Sequence, residues 1–343
     1  MDAAILVKDV AIIGAGPSGL FSVFECGMLG LSAVVFDALP EIGGQCTALY
    51  PEKPIYDIPG CPEILAGDLI HNLERQAAPF NPEYRLNQQV VAISKESGFW
   101  NITTSKGVVA KVSAIVIAAG GGAFGPNRPP LEDIEKYEGT GVQYMVRRKD
   151  DFRGKNVVIA GGGDSAVDWA LSLAPIANSL YVVHRRDKFR ASPESVRQME
   201  ALTAVKKLEL VVPYQLKSLV GVAENGQMSL KGVIVSSEEH GDRVLTADVL
   251  LPFYGLASEL GPLANWGLGI DHNHVTVDPY TCQTNIEGIY AIGDIAAYKN
   301  KLKLILTGFN EAALSAHAIR KQIHPHEELH FEYSTTKGLP SAA

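Results

Sequence analysis

Two short apolar runs in this chain each end in a cluster of glycines, "VAIIGAGPSG" at residues 10–19 and "VVIAGGGDSA" at 157–166. A strand that stops in a glycine-rich turn and restarts as a helix is the opening of a parallel βαβ unit. The residues that follow keep one order in both places. After the first turn comes a helical pattern reaching Met28 and then the strand "SAVVFDA"; after the second come "VDWALSLAP" and "SLYVVHRR". The chain therefore reads as α/β, with two Rossmann-like nucleotide-binding domains of three-layer ββα form.

The two domains are not simply consecutive. "SAIVIAAGGGAFGPNRPP" is a buried strand followed by Gly and Pro punctuation, the mark of a crossing between domains. "DVLLPFYG", at 248–255, also ends on glycine, and the "TNIEGIYAIGDIA" beyond it is too short to begin a third domain. The expectation is an insertion. Residues 1–122 and 256–343 form one discontinuous domain with a C-terminal extension, and 123–255 form the other.

Composition narrows the function classes. At 343 residues and 46% hydrophobic content, the chain can fill a core in each of two domains. Its net charge of -8 argues against a nucleic-acid binder. The stretch Ala3 to Ile13 is interrupted by Lys8 and Asp9 and runs into glycines, unlike a signal peptide, and no run approaches the roughly 18 apolar residues of a membrane span. Cys26, Cys46, Cys61 and Cys282 show neither CxxC nor zinc spacing, which fits a reducing cytoplasm and no metal site.

In the first loop Gly14 makes the tight turn, Gly16 allows close approach to a pyrophosphate, and Gly19 allows the helix to pack on the strand. Pro17 and Ser18 open that helix, whose free N–H groups carry a partial positive charge of about half a unit. Asp37, after the second strand, is placed to accept from ribose hydroxyls. The second loop has Gly161, Gly163 and Ala166, with Asp164 and Ser165 starting its helix. At its acid position stand His184, Arg185 and Arg186, with Arg190 close behind. A carboxylate there would repel a 2'-phosphate, whereas guanidinium groups pair with it, so this domain is expected to take NADP(H).

Six stretches in order, "GAGPSG", "GGQ", "AAG", "GGGDSA", "HRRDKFRA" and "GIYAIGDIA", resemble thioredoxin reductase and its relatives along nearly the whole chain. The resemblance implies that the first domain holds FAD, with Asp294 of the GD motif on the ribitol. It also implies cofactor contacts from Gly44, Gln45, Val90 and Phe124. Thioredoxin reductases carry a CxxC before the second loop, but "GVQYMVRRKDDFRGK" has no cysteine. Lipoamide and glutathione reductases carry GGxCx4C; Gly43, Gly44 and Cys46 match, while Pro51 stands at the second cysteine. Thiol exchange needs two sulfurs, so electrons must leave by another route.

The stretches "GGQCTALYPEKPIYDIPG", "KLKLILTGFNEAALSAHA" and "EYSTT" are similar to the thioredoxin-reductase-like ferredoxin–NADP reductases. That resemblance implies hydride exchange with NADPH, single-electron exchange with ferredoxin or flavodoxin, and a cytoplasmic homodimer. It assigns Tyr50 to one flavin face and Tyr333 to the other, reaching across the dimer, with Ser334 and Thr335 following. A helix is expected from about Gly308, its N-terminus toward the flavin. Arg147, Arg148 and Lys149, and Lys299, Lys301 and Lys303, are two basic clusters that fit an acidic carrier. The same residues leave open an NADPH-dependent flavin or quinone reductase, a redox-sensing flavoprotein, and a thiol pair of Cys46 with Cys61.

Overall fold

A computed structural model describes residues 5–224, 227–327 and 338. The chain forms two compact units, Met1–Phe124 with Ser258–Ala343, and Gly125–Ala257. Each is α/β and each is built on a parallel sheet.

In the first unit, Leu6–Ile13 is flanked by Ala33–Phe36 on one side and Gly107–Ile117 on the other, all parallel. Glu83–Arg85 extends the sheet beyond Ala33–Phe36, and Ile289–Ala291 pairs with the end of Gly107–Ile117. The early half of Gly107–Ile117 instead pairs antiparallel with Phe99–Thr104, which pairs with Val90–Glu96. Alternate side chains explain why the central strands read as continuous apolar runs. Val10, Ile12, Val35 and Val116 pack under the helices with Val23, Cys26, Ala312 and Ile319. Ala11, Val34, Phe36, Ile115 and Ile117 face the opposite way, onto Trp100, Ile102 and Val112. Burying a side chain the size of Ile12 or Phe36 is worth about 1.5–3 kcal/mol.

The second unit repeats the plan. Its parallel sheet runs Glu209–Val211, Ser179–Val183, Asn156–Ala160, Val249–Pro252. The helix Asp164–Leu173 buries Ala166, Val167, Ala170 and Leu173. On the other face, Val158 and Ala160 share a core with Val233, Val235 and Leu245 of an antiparallel three-stranded meander. Among the described residues, no helix is long and apolar enough to cross a membrane.

Candidate functional site

The first unit holds a cavity of about 360 Å³ at the ends of its parallel strands. This is where open α/β sheets bind ligands, because strand ends and helix N-termini meet there. Gly14, Gly16, Pro17, Ser18, Asp37, Gly44, Gln45, Tyr50, Val90 and Asp294, all singled out from the sequence, border it. So do Ala118, Ala119 and Gly120 of the "AAG" stretch.

The loop is shaped by contacts that no side chain could share. Gly14 has φ +112°, and a Cβ there would overlap the carbonyl of Ala118. Gly19 does not border the cavity; a Cβ on it would overlap the carbonyl oxygen of Gly14, so it sets how closely the Pro17–Met28 helix approaches the strand. Around Gly16, by contrast, a Cβ would meet nothing within 4 Å, so this backbone faces open cavity. Asp37 Oδ2 accepts the N–H of Ala15 at 2.7 Å and its Oδ1 that of Leu39 at 2.8 Å. Burial raises the pKa of this carboxyl, against the backbone N–H groups that favour its ionised form. Each oxygen keeps a lone pair for a hydroxyl. A dinucleotide phosphate fits the bare loop backbone at a helix N-terminus, and a ribose fits Asp37, so these residues suit a FAD.

The GD turn packs against the end of the loop at Ser18. Gly293 has φ +70°, and a Cβ there would stand 2.9 Å from Ser18 Oγ. Asp294 follows it on the cavity wall. The helix expected from about Gly308 begins earlier, at Ile305, and runs to Ile323. Gly308 therefore sits within its first turn, pressed against Ser18 rather than bordering the cavity, where Leu304 and Ile305 stand instead. Apolar residues just ahead of the glycine carry the helix start.

Tyr50 and Cys46 border the cavity together, with Cys46 Sγ 3.9 Å from the Tyr50 hydroxyl. Burial pushes the Cys46 thiol up to about 11, its hydrogen bond with Tyr50 partly offsetting it, and burial also raises the pKa of Tyr50. Cys26 and Cys282 are pushed to about 12, again chiefly by burial. These three thiols stay protonated at neutral pH and are poor nucleophiles. All four cysteines are free, and no metal-binding cluster occurs among the described residues.

Several wall residues went unread in the sequence, among them Leu39, Gln88, Gln89, Leu260 and Leu263. Gln88 is brought there by its N–H bond to the carbonyl of Asp37, at 2.9 Å. The strand order carries the only available signal: Glu83–Arg85 lies parallel beside Ala33–Phe36, so the loop after it must open at the same end. Phe124 falls in the strand Ala123–Pro126, but its side chain lies outside the described residues, as do Tyr333, Ser334 and Thr335 entirely.

In the second unit, Gly161 approaches Phe253, whose carbonyl oxygen would be 2.7 Å from an added Cβ, with the buried Ala166 beside it. Gly163, Asp164 and Ser165 start the helix, with both side chains exposed. Asp164 Oδ1 accepts the N–H of Ser192 at 3.0 Å. The His184 ring lies directly over Gly162. The N–H of Arg190 donates to the Gly162 carbonyl at 2.7 Å, which folds the basic turn back onto the loop. Arg185, Arg186 and Arg190 are exposed, and none forms an ion pair among the described residues. Burial lowers the pKa of His184, with the three guanidinium groups adding to the effect. Three cations and a neutral imidazole beside a helix N-terminus suit a phosphomonoester.

One basic cluster is divided by folding, with Lys299 and Lys303 exposed and the Lys301 side chain turned inward. The Lys301 side chain is 5% exposed and pairs with the buried Glu311, while Lys303 donates to His274 Nε2 at 2.7 Å. Lys301 cannot greet a carrier, because its aliphatic stem and ammonium are both enclosed. Arg147, Arg148 and Lys149 are exposed, but Asp151 stands 4.0 Å from Arg148, which tempers their charge.

Residues 8–312 match the family model described as pyridine nucleotide-disulphide oxidoreductase. The chain is 58% identical over 342 residues to a protein of Acidiphilium cryptum named ferredoxin–NADP reductase, covering 99% of this chain and 100% of that one. It is 56% identical over 339 residues to a protein of the same name from Rhodospirillum rubrum, covering 98% and 97%. In fold it resembles thioredoxin reductases of Lactococcus lactis and T. acidophilum, each with a TM-score of 0.77, at 22% and 21% identity. The shares covered are 93% and 92% of this chain and 99% of each of those. Two glycine-rich loops in two Rossmann-like units, matched from Lys8 to Ala312, mean that the chain belongs to the pyridine nucleotide-disulphide oxidoreductase family.

Proposed function

We propose that this chain is an FAD-dependent ferredoxin–NADP reductase, with FAD in the first unit and NADP(H) on the second. The observation that carries the reading is its likeness, over nearly the whole length of both chains, to curated relatives of that name. The sulfur chemistry supports it: Pro51 stands where a second cysteine would be, and Cys46 is a buried, protonated thiol. Bound FAD would supply the exchange between hydride and single electrons.

The chain's own residues bind and orient. Gly14, Gly16, Pro17 and Ser18 hold the pyrophosphate, Asp37 the ribose, Gly44, Gln45 and Val90 further parts of the cofactor, and Asp294 the ribitol. Tyr50 covers one face of the ring and excludes water from it. Arg185, Arg186 and Arg190 hold the 2'-phosphate, and Gly161, Gly163, Asp164, Ser165 and Ala166 shape the pyrophosphate site before His184. Tyr333, Ser334 and Thr335 belong to the same reading, on the opposite face of the ring, as do Phe124, the homodimer, the cytoplasmic location and flavodoxin as a second carrier.

An anaerobic assay with NADPH and NADH, against ferredoxin, flavodoxin, quinones and thioredoxin, tests the reading. NADPH-dependent reduction of ferredoxin is expected. Turnover with thioredoxin, or with quinones alone, would overturn it.

A further inference from the structure

A buried carboxylate behind the cavity is not absorbed by any of these roles. Glu311, 1% exposed, lies on the helix Ile305–Ile323, and its Oε2 accepts the N–H of Gly293 at 2.7 Å. Its Oε1 accepts from Tyr298 Oη at 2.8 Å and from Lys301 Nζ. The Lys301 side chain is itself 5% exposed, and its ammonium stands 5.1 Å over the Tyr298 ring. One side chain thus ties three segments together: the GD turn, the strap from Tyr298 to Lys301, and the helix whose first residues border the cavity.

A buried ion pair is a poor source of net stability, because desolvating both charges offsets most of their attraction. Apolar residues could fill the same space, so a purely structural role does not explain the pair. What only an acceptor on this helix supplies is a partner for the Gly293 N–H. Gly293 has φ +70° and packs against Ser18, whose Oγ would stand 2.9 Å from an added Cβ, and Asp294 is the next residue, on the cavity wall. We infer that Glu311 is a positioning residue. By anchoring Gly293 it fixes the direction of Asp294 and the distance between the GD turn and the helix start, and so governs how tightly the cavity retains its cofactor. This rests on the proposal that the first unit holds FAD.

The test is flavin release from the holoprotein, followed as a rise in flavin fluorescence after dilution, beside the melting temperature. E311L/K301M removes the buried pair and the acceptor. E311Q/K301M removes the charges but keeps an acceptor for Gly293. The glutamine variant is expected to melt close to the parent; the leucine variant, which leaves the Gly293 N–H and the Tyr298 hydroxyl without an acceptor, melts lower and, measured well below its melting temperature, releases flavin about ten-fold faster, the scale of a lost charge-assisted hydrogen bond. The glutamine variant should release it within about two-fold of the parent. E311D, which keeps the charge but is one methylene too short to reach Gly293, should also release flavin faster, and it decides the matter if the leucine variant does not fold. Equal release from the parent and E311D, or equal release from the two double variants, would overturn the inference. A parent protein that purifies and reconstitutes without flavin would overturn the cofactor reading itself, a result distinct from either.

Discussion

The carboxylate of Asp37 accepts the backbone N–H of Ala15 at 2.7 Å, so the residue that follows the second strand also closes the glycine loop of the first. Asp37→Ala would leave that part-buried N–H without a partner, at a cost of about 1–3 kcal/mol. Melting temperature and flavin content should both fall. Asp37→Asn, which keeps one acceptor, should lie between the parent and the alanine variant. A variant D37A with parental flavin content would remove Asp37 from the cofactor site.

Arg185 and Arg186 stand exposed beside the second loop. Replacing either with Ala should raise KM for NADPH by one to two orders of magnitude, the equivalent of about 1.5–3 kcal/mol, and leave KM for NADH nearly unchanged. Steady-state kinetics with both nucleotides provide the measurement. An equal loss with both would mean that the guanidinium groups do not read a 2'-phosphate.

Burial beneath the basic turn depresses the pKa of His184, so the unfolded chain takes up this proton before the folded one as pH falls. The stability it contributes is fully present above its ordinary value of about 6.5 and is lost on acidification below that value. Melting temperature measured across this range should fall less steeply in His184→Gln than in the parent. Parallel profiles would sink the assignment.

Tyr50 combines a cavity-facing ring with a hydroxyl 3.9 Å from Cys46 Sγ. Tyr50→Phe keeps the ring and loses only that weak contact, so flavin fluorescence should stay quenched and turnover should change little. Tyr50→Ala should brighten bound flavin several-fold, since aromatic contact is what quenches it. Unchanged fluorescence in Y50A would place the ring away from the flavin.

Cys46→Ser should leave turnover with ferredoxin within about two-fold of the parent, because a thiol held near 11 supplies no thiolate at neutral pH. A loss of ten-fold or more would restore a sulfur relay to the reading.

Much of the first site was legible because its parts are local. Gly14, Gly16 and Gly19 form a turn whose geometry is set within a few residues, and Asp37 follows the next strand by a fixed distance along the chain. The strands were legible for a similar reason, since burial on both faces leaves Val10–Ile13 and Val157–Ala160 no polar alternation. Leu39, Gln88 and Leu263 carry no such signal; a side chain on a connecting loop becomes a cavity wall only when distant segments close around it.

Charge shows the division most plainly. In sequence Lys299, Lys301 and Lys303 are three alternating cations, and Arg185, Arg186 and Arg190 are three more. The chain alone determined two nucleotide-binding units, the missing second sulfur at Pro51 and the basic character of the second loop, because each depends on residue type at short range. Only the tertiary structure decided that Lys301 turns inward to Glu311 while the arginines stay in solvent. The reason is that a cation enters the interior only where folding brings a carboxylate to meet it, and Glu311 reaches that place from a different segment.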